Sequence, residues 1–250
     1  MEKYFDINEN GYSIRCKLYT KDIHNIEKAV IFCHGFGGHK DNRAAARFAE
    51  YILAKYKNTA MVVFDWPCHG MDARKKLVLS ECLMYLDMVK EYTLGNLGAK
   101  ELYVYATSFG GFLTMRYIAE HGNPFKKIAL RCPAIGMGYV LVNIMTEDEK
   151  AKLEKGKEIL IGFDRKVKVR KEFFEELQQA DIMNMDFMDY ADDILIIHGT
   201  EDEIVPYSTS EEFSEKNVIE LVPIEGADHR FRDPKKLDAA HQFIVKFFNF

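Results

Sequence analysis

Tyr103-Val104-Tyr105-Ala106-Thr107-Ser108-Phe109-Gly110-Gly111 passes from aromatic and β-branched residues into small ones, with a serine at the joint. The first half reads as a strand and the second as the start of a helix. A serine presented on a sharp strand-to-helix turn needs small residues two positions before and after it, so that strand and helix can approach. Ala106 and Gly110 occupy those positions, an Ala-x-Ser-x-Gly variant of the usual Gly-x-Ser-x-Gly. The competing reading of Ser108 is a helix N-cap after a strand, a common use of serine.

Two further segments decide between these readings. Asp202 stands in His198-Gly199-Thr200-Glu201-Asp202, and His229 in Gly226-Ala227-Asp228-His229, each after its own apolar, strand-like run. A serine hydroxyl is a weak nucleophile near neutral pH and needs a base to take its proton and a third group to orient that base. Ser108, His229 and Asp202 can fill these roles, each at the carboxyl end of an expected strand, where open α/β sheets place their ligand sites. Glu201, Glu203, Glu225 and Asp228 lie close enough to compete as the acid, and Asp202 is the best candidate. His34-Gly35-Phe36-Gly37-Gly38 follows another apolar run, and its glycines let the chain turn closely past the serine. The Phe36 and Phe109 N–H groups are the expected oxyanion donors. Lys40 stands where a dinucleotide loop would need its third glycine, and no Gly-Lys-Ser/Thr phosphate loop is present. His34 reads as structural. No His-Glu-x-x-His or comparable ligand set points to a metal, and the expected chemistry needs no cofactor.

The chain opens on short strand-like runs, Phe5 to Ile7 and Tyr12 to Leu18, around a turn at Asn8-Glu9-Asn10-Gly11. An alternation of strands and helices follows. Strands are expected at Ala29 to Cys33, Ala60 to Phe64, Leu102 to Ala106, Lys127 to Leu130, Ile194 to Ile197 and Val218 to Val222. Helices are expected through Ala45 to Leu53 and near 80–94, 110–121, 208–216 and 235–248. Strands apolar throughout fit a mostly parallel sheet covered by helices on both faces, the α/β class. Residues 1–250 read as one domain, with an inserted cap at about 134–189 that contains helices at Glu147 to Lys157 and Glu172 to Gln179. Between them, Glu158 to Phe163 and Lys166 to Val169 flank Asp164-Arg165 as a small hairpin. A long insertion between the serine strand and the acid strand is expected to act as a lid.

Of the 250 residues, 48% are hydrophobic and 29% charged, and no apolar run approaches the ~18 residues that would cross a bilayer. The start has neither the basic nor the apolar region of a secretory signal, so a cytoplasmic protein is expected. Five scattered cysteines without a Cys-x-x-Cys pair read as reduced thiols. A net charge of −5 with both signs interspersed gives no basic field for nucleic acid. Lys166, Lys168, Arg170 and Lys171 read as a solvated face. The expected partner is a small-molecule ester, with a homodimer left open.

His34-Gly35-Phe36-Gly37-Gly38, Asp65 to Gly70, Thr107 to Gly111, His198 to Pro206 and Glu225 to His229 together span nearly the whole chain. With these segments in the order Ser, Asp, His, the chain resembles the serine hydrolases of the α/β-hydrolase superfamily, near the serine aminopeptidase S33-like and bacterial cinnamoyl (feruloyl) esterase-like branch. The resemblance implies Ser108 as nucleophile, Asp202 and His229 as its partners, Phe36 and Phe109 as oxyanion donors, and a structural turn at Cys68-His69-Gly70. It also implies a carboxylesterase for short acyl or hydroxycinnamoyl esters, its cap covering the pocket. An aminopeptidase or amidase with the same triad, or a non-catalytic binding protein, are the alternatives. Tyr139, Phe163, Phe173 and Phe174 either line the pocket or, for most of them, fill the core of the cap.

Overall fold

Strands that are apolar in both directions of the pleat must be covered on both faces, and this requirement organises the chain. The computed structural model describes all residues except Phe163 and Asp164. In chain order the elements are β1 (Glu2–Glu9), β2 (Tyr12–Thr20), β3 (Lys28–Cys33), α1 (Arg43–Lys55), β4 (Thr59–Phe64), α2 (Leu79–Gly95), β5 (Glu101–Thr107) and α3 (Phe109–His121). They continue with β6 (Lys127–Arg131), α4 (Met137–Asn143), α5 (Glu147–Glu154), β7 (Ile159–Ile161), β8 (Val167–Val169) and α6 (Lys171–Gln179). A 3-10 segment (Met188–Asp193), β9 (Ile194–Gly199), α7 (Tyr207–Asn217), β10 (Glu220–Ile224) and α8 (Pro234–Phe248) complete the chain.

Eight strands form one sheet in the order β1-β2-β4-β3-β5-β6-β9-β10, antiparallel at β1-β2-β4 and parallel elsewhere. This is the mostly parallel α/β sheet that the sequence predicts, opening on an antiparallel hairpin. Each central strand serves two cores. Leu102, Val104 and Ala106 of β5 face one core together with residues of α2 and α3, while Tyr103 and Tyr105 face the other with residues of α1 and α8. Asn42 starts α1 by accepting from the Ala44 and Ala45 amides at 2.8 and 3.1 Å, which satisfies two N–H groups that have no partner within the helix. The strand order reverses between β3 and β5, so the loops leaving their carboxyl ends diverge and open a crevice.

The segment between β6 and β9 holds α4, α5, the antiparallel β7-β8 hairpin and α6. Here the sequence reading needs correction. The helix expected at Glu147 to Lys157 ends at Glu154, and α4 was not foreseen. The expected hairpin turn and one aromatic candidate involve Phe163 and Asp164, which lie outside the described residues. The strand expected from Val218 begins instead at Glu220, because Val218 closes α7 in the left-handed region at φ 58°. Lys166, Lys168, Arg170 and Lys171 are exposed as expected. No helix among the described residues is long and apolar enough to cross a membrane.

His241 of α8 is buried between the rings of Phe48 and Tyr105, with centroids 5.1 and 5.9 Å away, and neither of its ring nitrogens has a hydrogen-bond partner among the described residues. Burial, aided by Arg131, pushes its pKa down to about 3. Burial likewise pushes His69 down to about 4 and His34 well below the ordinary histidine value. Such groups bind protons in the unfolded chain before they do so in the folded one. Stability is therefore full above the unfolded value of about 6.5 and falls as pH drops below it, by about 1.4 kcal/mol per pH unit for each group. Urea unfolding between pH 7 and 5 should show this slope, and His241→Phe should remove one histidine's share of it. An unchanged slope in the variant would contradict the assignment.

Candidate active site

Ser108 joins β5 to α3 at φ 52° and ψ −116°, and its side chain makes no cap hydrogen bond. The N-cap reading therefore fails. The backbone is held in a region that non-glycine residues rarely adopt, as a nucleophile elbow requires. Gly110 shows why the following turn must be small: a Cβ there would lie 2.2 Å from the Cys33 carbonyl oxygen and 2.8 Å from that of His34. Both neighbours are backbone. Gly110→Ala should cost about 3 kcal/mol in urea unfolding, and a variant of unchanged stability would show that the elbow can relax.

The loop after β3 passes directly over the elbow. A Cβ on Gly35 would sit 3.2 Å from Ser108 Cβ and 3.7 Å from Ser108 Oγ. Among the described residues, neither the Phe36 N–H nor the Phe109 N–H donates a hydrogen bond. The two rings pack edge to face at 5.5 Å. His34 is structural, as expected. Its Nδ1–H donates to the Gly35 carbonyl at 2.8 Å, and the Trp66 indole donates to the His34 carbonyl at 2.9 Å. His69, in the Cys68-His69-Gly70 turn, donates from Nδ1 to the Pro67 carbonyl at 2.8 Å.

His229 and Asp202 meet directly, with Nδ1 and Oδ2 2.7 Å apart. The other carboxylate oxygen accepts the Ile204 and Val205 amides at 2.9 and 2.7 Å, so Asp202 also caps its own turn. Burial pushes this carboxyl upward, but the hydrogen bonds from His198 and His229 outweigh it and hold Asp202 well below the usual carboxylate range. It is an ionised, fully buried acceptor. Two of the four competing acids have other partners. Glu203 accepts the His229 backbone amide at 3.1 Å, and Asp228 pairs with Arg232 at 2.6 Å.

Ser108 is tied to the same end of the sheet. Its N–H donates to the Arg131 carbonyl at 3.1 Å, and the next residue, Cys132, donates to Ile197 of β9 at 2.9 Å. Cys132 Sγ, a His198 ring nitrogen and an Asp202 oxygen lie within 4.8 Å of one another. These atoms are a poor metal site, because burial and the Asp202 charge keep the thiol protonated, while His198 and Asp202 are already hydrogen-bonded. Among the described residues no hydrogen bond joins Ser108 Oγ to His229. Such contacts are often long in unliganded enzymes and tighten when substrate binds.

A mainly apolar cavity of about 390 Å³ lies between α3, α4 and α6, lined in part by Phe112, Ile135, Tyr139, Val142, Phe174 and Leu177. Its lining includes Phe112, whose amide donates to the Ser108 carbonyl at 3.1 Å, but neither Ser108 nor His229. Phe173 is buried and fills the core, whereas Tyr139 and Phe174 line this cavity. The sequence reading did not single out His198, although its place four residues before Asp202 was visible.

A family model described as alpha/beta hydrolase fold matches residues 28–158, just over half of the chain. No curated protein matches it. Among solved structures, Est1E from Butyrivibrio proteoclasticus with ferulic acid bound is 21% identical at a TM-score of 0.79, over 98% of this chain and 100% of that one. A soluble variant of monoglyceride lipase from Saccharomyces cerevisiae, in complex with a substrate analog, is 16% identical at a TM-score of 0.78, over 100% of this chain and 94% of that one. Alpha/beta hydrolase domain-containing protein 10 from mouse is 14% identical at a TM-score of 0.76, over 99% and 98%. At these identities the likeness is one of fold.

Proposed function

The chain belongs to the α/β-hydrolase fold family, and from that premise we propose that it is a serine carboxylesterase acting on short-chain acyl or hydroxycinnamoyl esters. The observation that carries the reading is the Ser108 elbow: a strained serine whose side chain, like the Phe36 and Phe109 amides beside it, has no hydrogen-bond partner among the described residues. In this mechanism His229 takes the Ser108 proton as Oγ attacks the ester carbonyl. The Phe36 and Phe109 N–H groups stabilise the oxyanion, and an acyl-enzyme forms as His229 passes the proton to the departing alcohol oxygen. Water, deprotonated by His229, then attacks the acyl carbon, and His229 returns that proton to Ser108 Oγ as the acid leaves. Asp202, held ionised, keeps the His229 proton on Nδ1, so Nε2 is the basic face.

The inserted segment at about 134–189 serves as the cap, and the apolar cavity between α3, α4 and α6 receives the hydrophobic part of the ester. That Est1E was solved with ferulic acid makes hydroxycinnamoyl esters a natural choice to test. An aryl-ester panel of graded acyl length, with feruloyl esters and aminoacyl arylamides alongside, reads the preference as kcat/KM. Ester turnover above amide turnover, with a sharp acyl-length limit, is expected. Preferential cleavage of the amides would overturn the esterase reading in favour of a peptidase.

A further inference from the structure

His198, fully buried at the end of β9, stands outside the proposed Ser108, His229 and Asp202 set. Its Nε2 lies 3.0 Å from Asp202 Oδ2 and 3.1 Å from the Val205 carbonyl oxygen, and its Nδ1 lies 2.7 Å from Ser210 Oγ in α7. A carbonyl oxygen can only accept, so Nε2 carries a proton. The neutral imidazole that satisfies every contact is therefore the Nε2–H tautomer, with its Nδ1 lone pair accepting the Ser210 hydroxyl proton. Ser210 is fully buried, and Nδ1 is its hydrogen-bond partner among the described residues. Asp202 Oδ2 is thus shared between two imidazole donors while Oδ1 takes two backbone amides. All four acceptor positions of the carboxylate are filled, and the group cannot rotate without breaking several bonds at once.

We propose that His198 and Ser210 form a positioning pair that fixes the Asp202 carboxylate for His229. This rests on the triad proposal. Ser210 sets the His198 tautomer, His198 sets the plane of the carboxylate and draws off part of its negative charge, and Asp202 then presents one defined oxygen to His229 Nδ1. The titratable groups around His198 are Asp202, Cys132 and Tyr207, with His229 reached through Asp202. Among them only Asp202 connects His198 to the proposed base by hydrogen bonds.

The test uses the whole protein, an aryl ester and a fluorophosphonate. His198→Phe keeps a buried ring but removes all three polar contacts, whereas His198→Gln restores a side-chain N–H donor. For H198F we expect kcat/KM to fall about 100-fold, the scale of a misplaced catalytic group. The acid limb of its pH profile should also move to higher pH, because Oδ2 then concentrates its charge on His229. H198Q should recover most of both effects. Equal losses in the two variants with an unmoved acid limb, at the wild-type urea midpoint, would reduce His198 to a packing residue and overturn the proposal.

Should H198F not fold, nitrogen-15 NMR of the imidazoles decides. The wild type should show His198 protonated at Nε2, with an Nδ1 resonance that shifts in Ser210→Ala; a proton on Nδ1, or no shift, overturns the pair. Fluorophosphonate labelling of the wild type separates the two readings. A labelled wild type with unaffected His198 variants removes the positioning pair alone, whereas an unlabelled wild type removes the triad and the pair with it.

Discussion

Ser108→Ala is expected to lower kcat/KM for an aryl ester by at least about 10,000-fold while leaving the urea midpoint near that of the wild type. The size follows from the mechanism: without Oγ there is no acyl-enzyme, and only binding and the two amides remain to assist attack by water. The unchanged stability follows from the structure. Among the described residues Ser108 Oγ has no hydrogen-bond partner, so its removal leaves none of them unsatisfied. Alanine also meets the φ 52° backbone with the same Cβ that serine already carries there. Retention of more than a few per cent of the activity would assign the nucleophile elsewhere.

Asp202→Asn should reduce kcat/KM by about 10,000-fold as well, and here the fold should suffer too. Four donors converge on this carboxylate: the Ile204 and Val205 amides on Oδ1, and His198 and His229 on Oδ2. An asparagine offers one acceptor oxygen and turns an N–H pair toward the remaining donors. If that pair faces His229, Nδ1 must become the acceptor and the proton moves to Nε2, the nitrogen that the mechanism needs bare. If it faces the turn, two buried amides lose their acceptor, at about 1–3 kcal/mol for a stranded donor. A lowered urea midpoint together with the loss of activity is the expected pair of results. Full activity in this variant would mean that Glu203 or Asp228 orients His229 instead.

Much of this was legible in the sequence because the sheet is built from strands that are apolar on both faces, and such runs stand out against helical spacing. The Ser108 elbow was legible for a related reason, as few contexts demand Ala106, Ser108 and Gly110 at those separations. What escaped has local causes. Met137 to Asn143 is only seven residues, with two valines and a glycine and without a side-chain cap, so α4 owes its helix to packing against α6 rather than to its own preferences. Val218 reads as the start of a strand by its β-branched side chain, yet the turn out of α7 places it in the left-handed region, leaving it largely exposed. His198 escaped because a buried histidine before a glycine looks like core. Its bond to Asp202 depends on the turn from 199 to 205 folding back over the end of β9, a geometry that spacing alone does not specify.

The convergence of Ser108, His229 and Asp202 into one nucleophilic unit is tested most directly by mapping the site of fluorophosphonate attachment by peptide mass spectrometry. A single adduct on the peptide carrying Ser108 is expected, formed by the wild type and absent from both the Ser108→Ala and the His229→Ala proteins. An adduct on another residue, or labelling that persists without the 229 imidazole, would contradict it.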